Sequence, residues 1–262
     1  MYVLDIVVPD GRDPGPVVER LETGLDPSGR VAVLRRDAAV EVSDHTVVRV
    51  GEDGWRATGR APPDVTDVLD DLARDHAYAL TVGFPDAGFP LLAVGDADVD
   101  EPLARVDDAA ALDVDAVADA LLGTEPYESL PSLVARAKRS SDATFSGAIA
   151  TFTGRVRTKE DPTDAPTEAL TFEKYDGVAE DRLEAIRREL EAREGVFEVL
   201  FHHRTGRVEA GGDVVFVVVL AGHRREAFDT VEDGIDRLKA EVPLFKKELT
   251  VDEEFWVHDR EA

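Results

Sequence analysis

Residues 214–221, Val-Val-Phe-Val-Val-Val-Leu-Ala, form an unbroken apolar run behind Asp213. Five of the eight are valines, whose branched side chains favour extended backbone over helix. With no polar alternation, both faces of such a strand need cover, so the segment reads as a central strand. It falls far short of the roughly 20 apolar residues that a membrane helix requires. Arg224–Glu241 reads as a helix close behind it, stopped before Pro243.

Around this pair the second half of the chain reads as α+β. Leu130–Arg139 and Ala179–Arg193 have helical patterning, the latter with Leu183, Ile186 and Leu190 on one face. Gly147–Val156, Ala169–Tyr175, Phe197–His202, Phe245–Val251 and Phe255–His258 read as strands. The first half alternates. Its strands are Tyr2–Val8, Val31–Leu34, Thr46–Val50, Ala77–Val82 and Leu91–Val94, and its helices are Val17–Thr23, Val65–Arg74 and Val114–Leu122. That alternation predicts an α/β layer with some parallel pairing. Gly123-Thr-Glu-Pro126 interrupts an Ala/Leu/Val run, and the expected domains are 1–126 and 127–262.

Charge also differs between the halves. Residues 1–126 hold 10 basic and 27 acidic side chains, residues 127–262 hold 20 and 29, and the formal net charge is −26. Such acidity argues against nucleic-acid binding, which needs a basic footprint. Only 6 of the 30 basic residues are lysine, none before Lys138, and the other 24 are arginine. An acidic coat with few lysines is the surface habit of a halophilic protein, where salt screens self-repulsion. The absence of cysteine excludes a disulfide scaffold, a thiolate metal site and a cysteine nucleophile. His202 and His203 adjoin on a strand and point to opposite faces, so no metal site is expected. The first residues lack a basic n-region, Asp5 interrupts their apolar stretch, and no apolar run suits a membrane; a cytoplasmic location is the expectation.

The first strand, loop and helix have the layout of a phosphate-binding loop. The loop reads Val8-Pro-Asp-Gly-Arg-Asp-Pro-Gly-Pro16 and lacks the lysine and the Ser/Thr that phosphate and magnesium demand. Asp10 and Asp13 would repel phosphate, and Pro14 and Pro16 remove N–H donors. The half nonetheless resembles the MobB family of molybdopterin-guanine dinucleotide biosynthesis adapters. The likeness covers roughly 1–122 and rests on the opening Val-Leu-Asp-Ile-Val-Val, the following Val-Glu-Arg-Leu, and His76–Phe84. Pro14 stands where that family has its lysine, and Val82 where it has an acid. The resemblance implies a P-loop-like fold with a degraded phosphate loop.

Cations in the second half gather in three segments. Arg155 and Arg157 end a strand on one face. His223-Arg224-Arg225 opens a helix, where free N–H groups and the positive dipole end favour an anion. Lys239 falls in a last helical turn and Lys246 in the strand that returns after Pro243, so the two can come close. Paired ammonium groups depress one lysine pKa, which suits nucleophilic or base chemistry, and Glu248 could fix one of them by an ion pair. Solvated strand arginines and a helix-dipole lysine are the plainer alternative.

These residues also carry a resemblance. Gly147–Arg157, Leu170–Tyr175, His203-Arg-Thr-Gly206, Val214–Val219, His223-Arg224, Lys239 with Lys246-Lys-Glu248, and Phe255-Trp-Val257 follow in order. Together they resemble the catalytic (large) subunit of molybdopterin synthase, the MoaE family, over nearly all of 128–262. The resemblance implies an α/β hammerhead fold and a homodimer, with a small MoaD-like sulfur carrier on each subunit in a heterotetramer. The carrier's Gly-Gly thiocarboxylate would deliver sulfur to cyclic pyranopterin monophosphate, making the molybdopterin dithiolene. By motif match Lys239 and Lys246 are catalytic, and Arg157, His223 and Arg224 bind the pterin phosphate and the carrier tail. Phe152 and Glu248 lie near the site. No cofactor or metal is implied, and the chain's last residues are not Gly-Gly, so the sulfur should come from a partner in trans. A nucleotide-binding adapter or a scaffold in molybdenum cofactor biosynthesis is the competing reading.

Overall fold

The computed structural model describes the chain except residues 37–44, 46, 53, 60–63, 85–86, 160, 176, 252–253 and 258–262. Thr46 and His258, read above as strand ends, lie outside the described residues. The chain divides into two compact units, Met1–Glu128 and Ser129–Ala262. Tyr127 belongs to the first: its N–H donates to the Met1 carbonyl at 2.7 Å and its hydroxyl to Asp70 Oδ1 at 2.5 Å.

The first unit holds strands β1 (Tyr2–Val7), β2 (Val31–Arg35), β3 (Val47–Val50), β4 (Trp55–Thr58), β5 (Tyr78–Val82), β6 (Leu91–Val94) and β7 (Ala104–Val106). Its helices are α1 (Gly15–Leu25), α2 (Val65–Leu72) and α3 (Val114–Leu122). Five strands pair in the order β2-β5-β1-β6-β7, every pair parallel, while β3 and β4 form a separate antiparallel hairpin. β1 is central and covered on both sides. Leu4 and Ile6 pack with Val18 and Leu21 of α1 and Val117 and Leu121 of α3, whereas Val3 packs with Leu69 of α2. This is an α/β layer, with parallel pairing throughout the main sheet. The short strands β4 and β7 were not legible in sequence; three or four residues of mixed polarity leave no periodicity to read.

The loop after β1 is filled by its own side chains. Asp13 Oδ1 accepts from the Gly15 N–H at 2.9 Å, at the start of α1 where a phosphate would sit. Arg12 reaches the far strands, donating to the Asp107 carbonyl at 2.7 Å. A Cβ on Gly95 would stand 2.4 Å from Arg12 Nη1, so only glycine leaves room for that guanidinium.

The second unit contains α4 (Leu130–Ala137), β8 (Ala148–Arg155), β9 (Thr167–Lys174), α5 (Val178–Glu191), β10 (Val196–His203), β11 (Gly206–Glu209), β12 (Asp213–Ala221), α6 (Arg224–Glu241), β13 (Leu244–Thr250) and β14 (Glu254–Val257). Two antiparallel sheets result, β10-β12-β8 and β11-β9-β13-β14. The apolar run of β12 is central in the first sheet, as its composition requires. Val215, Val217 and Val219 face Ile186 and Leu190 of α5 and Ile235 and Leu238 of α6; Phe216, Val218 and Leu220 face Leu133 of α4. Each such side chain contributes roughly 1.5–3 kcal/mol by burial. No described helix in either unit is long and apolar enough to cross a membrane.

One buried group works against the first unit. Asp5 is fully buried in β1; its Oδ1 accepts from the Thr81 hydroxyl at 2.7 Å, and its Oδ2 has no partner. Burial pushes its pKa above the ordinary 3.8, and the Thr81 bond only partly opposes this. Because the folded pKa is the higher one, the stability tied to Asp5 is complete below the unfolded pKa. It is lost as pH rises through the raised value. Asp5→Asn removes that loss, so the melting temperature of the variant relative to wild type should climb as pH rises above the ordinary carboxylate range, read by thermal melts.

Candidate active site

Only Gly222 and His223 separate β12 from α6, so the helix folds straight back along the strand. Gly234 lies over the middle of β12, where a Cβ would approach Val217 Cγ1 to 3.3 Å. The helix therefore starts at the Ala221 end of β12 and finishes at the Asp213 end. From Arg224 to Lys239 its axis advances about 22 Å, at 1.5 Å per residue. β8 spans the same length, Ala148 pairing with Ala221 and Arg155 with Asp213. Arg157, two residues beyond β8, thus shares an end with Lys239, while His223 and Arg224 occupy the opposite end. Within one copy of the chain the cations expected to act together form two groups.

At the middle of the strand, Phe152 pairs with Val217 and packs into the core beneath α6. Its ring lies along the backbone of Gly154. A Cβ there would come 2.5 Å from Val215 Cγ1 and 3.3 Å from Phe152 Cε1. The strand stops at Arg155, whose Nε is 3.2 Å from Asp213 Oδ1 and whose guanidinium also donates to the Gly211 carbonyl. Val156 is then buried and Arg157 exposed beyond it. The expectation that both arginines share one strand face is corrected accordingly: Arg155 is committed to Asp213, and Arg157 lies outside the strand.

Lys239 is exposed in the last turn of α6 and, among the described residues, makes no ion pair. The nearby Glu241 is held by Arg182 and by Arg237, the latter at 2.8 Å. Lys246 is the third residue of β13, opposite Phe172 of β9 and Val257 of β14. Glu248 follows on the same face of the strand. Its carboxylate accepts from the Thr167 hydroxyl, the bond the structure shows in place of the expected ion pair with lysine. Lys247 points to the other face, its ammonium 5.8 Å from the Trp256 ring centroid, a cation–π distance.

At the other end, His223 is the N-cap of α6 in extended conformation, and its side chain makes no capping bond. His223 and Arg224 are both exposed at a helix start, an arrangement suited to a phosphate. Among the described residues no cluster of three or more His, Asp or Glu could hold a metal ion. The structure adds Thr167, on Glu248, and Phe172, whose ring meets that of His203 beside Lys246; sequence weighs His203 only as a metal ligand and within a motif. Strand pairing brings them in; the Leu170–Tyr175 segment contains Phe172, and nothing in sequence marks Thr167.

The second unit thus consists of two antiparallel sheets, with cations at both ends of one helix-covered strand. The family model described as MoaE protein matches residues 127–241. A relative from Haloferax volcanii, named as a probable molybdopterin synthase, is 51% identical over 99% of this chain and 100% of its own length. A molybdopterin synthase catalytic subunit from Pyrococcus abyssi is 39% identical over 42% of this chain and 74% of its own. A solved structure of Bacillus subtilis MobB, 16% identical, covers 47% of this chain and 100% of its own with a TM-score of 0.36. The chain belongs to the molybdopterin synthase family. It is a catalytic subunit of that enzyme, a sulfurtransferase.

Gly154 offers a direct test of the packing between β8 and β12. Gly154→Ala forces Val215 and the Phe152 ring apart and should cost about 1–3 kcal/mol of stability. Gly54→Ala, where a Cβ meets nothing within 4 Å, should leave the melting temperature nearly unchanged in the same measurement.

Proposed function

We propose that this subunit transfers sulfur from the thiocarboxylated C-terminus of a small MoaD-like carrier to cyclic pyranopterin monophosphate, forming the molybdopterin dithiolene. The observation that supports the reading is the course of the chain: Arg157 follows β8 at the end of β12 where α6 delivers Lys239, and Lys246 lies in β13, the strand that comes next. Once the carrier's sulfur has bonded to the precursor, water attacks the resulting thioester carbonyl and frees the carrier as its carboxylate. Ammonium groups at that end stabilise the negative charge that develops in this attack, and they hand protons to the intermediates. Arg157 suits a carboxylate or phosphate by two parallel N–H bonds. Phe152 and Glu248 shape and orient the surroundings. The reaction needs no metal or cofactor: the sulfur arrives on the carrier, in keeping with a chain that has no cysteine.

His223 and Arg224 serve as the anchor for the precursor's phosphate, and their distance from the lysines calls for a second copy. In a two-fold dimer one subunit's helix start meets its partner's helix end, and each active site draws on both chains. With one carrier per subunit the assembly is a heterotetramer. The acidic coat fits work in a salt-rich cytoplasm, where screening relieves the self-repulsion of a −26 charge.

Lys239→Ala and Lys246→Ala should each abolish dithiolene formation from thiocarboxylated carrier and precursor, followed by chromatography of the product. Arg224→Ala should also be inactive alone. Mixing it with Lys239→Ala after subunit exchange should restore roughly a quarter of wild-type activity, because half the dimers are mixed and each of those has one intact site. Full activity in Lys239→Ala would overturn the catalytic reading, and no recovery on mixing would overturn the shared site. Raising KCl from about 0.1 to about 2 M should raise the melting temperature, since salt screens surface charge.

A further inference from the structure

Phe172 lies between Lys246 and Gly206 in the second sheet, paired to both. Directly opposed residues of an antiparallel pair share a face, with Cβ atoms about 4.5–5.5 Å apart. The phenyl ring is 7% exposed, and its neighbour on β11 has no side chain, so the lysine stem flanks it on one side only. His203 meets the ring edge-on, with centroids 4.8 Å apart and planes at 70°. His203 Nδ1 stands 2.8 Å from the Arg204 carbonyl; a carbonyl only accepts, so Nδ1 carries the proton and the bond fixes the imidazole. The adjacent His202 faces the other way, stacked on Phe216 with centroids 6.2 Å apart. Nothing in the proposed sulfur transfer yet uses His203.

We propose that His203 is a positioning residue for Lys246, acting through the Phe172 ring. The imidazole, tethered to the Arg204 carbonyl, holds the ring edge-on. The ring in turn holds the lysine stem, which aims the ammonium at the reacting group. This rests on the reading of Lys246 as catalytic. Aim matters because misplacing a reacting group by about 1 Å can cost on the order of a hundredfold in rate.

The test is steady-state and pH-rate kinetics of the complex with thiocarboxylated carrier, using Lys246→Ala, His203→Ala, His203→Phe, Phe172→Leu and His202→Ala. His203→Ala should lower kcat roughly tenfold with KM for the precursor nearly unchanged, a loss of alignment and not of binding. Its alkaline pH limb should move, because the lysine ammonium has changed surroundings. His203→Phe, which keeps an aromatic edge against Phe172, should recover most of kcat, and His202→Ala should match wild type. Phe172→Leu should reproduce the kcat loss and the shifted limb, and it decides the matter alone if His203→Ala does not fold. Wild-type kcat and pH limb in Phe172→Leu, or in a folded His203→Ala, would overturn the proposal while Lys246→Ala stays inactive. An active Lys246→Ala would instead overturn the reading on which it rests.

Discussion

Burial of β12 on both faces is the constraint from which the second unit follows. A strand made of Val214–Ala221 cannot meet water on either side, so α4 must cover one face and α5 and α6 the other. The two-residue link to α6 then leaves the helix a single course, back along the strand it has just left. That return delivers Lys239 to the end where β8 releases Arg157, and it holds His223 and Arg224 at the end where the helix begins. The arrangement proposed for catalysis is a consequence of how an apolar strand is covered.

The elements that bury side chains in a regular pattern were legible from residues alone. Arg224–Glu241 and Val114–Leu122 occupy the spans their periodicity predicts, and the remaining helices differ by one or a few residues at their ends. The start of α1 shows why ends are hard to read. Proline at position 16 looks like a boundary, yet the helix begins at Gly15, because the first turn tolerates a residue without an N–H. β4, β7 and β11 are not legible because each short run is broken by an arginine (Arg56, Arg105, Arg207), whereas the equally short β6 is wholly apolar.

The proposed site is legible as a list and not as a geometry. Lysine scarcity marks Lys239 and Lys246, and local charge marks Arg157, His223 and Arg224. Linear spacing could not say that α6 separates them into two groups, because that depends on which end of a strand each one reaches. Partner choice was also hidden. Arg155 looks equivalent to Arg157 in sequence, but Asp213 lies across the strand pair from it and claims it. Glu248 looks like a lysine's partner, but the hydroxyl of Thr167 reaches it from β9. Such competitions are decided by sheet register, which no single segment encodes.

Asp13 at the start of α1 has a bearing on the first unit beyond the loss of a nucleotide. A carboxylate two residues from the amide it binds is a ligand that cannot diffuse away. Its effective concentration is set by the chain itself, so dilution or cellular nucleotide levels do not change its occupancy. P-loop proteins switch because their anion comes and goes, and the surrounding loops respond to its presence. Here an incoming anion would first have to displace a carboxylate tethered two residues from the Gly15 N–H it occupies.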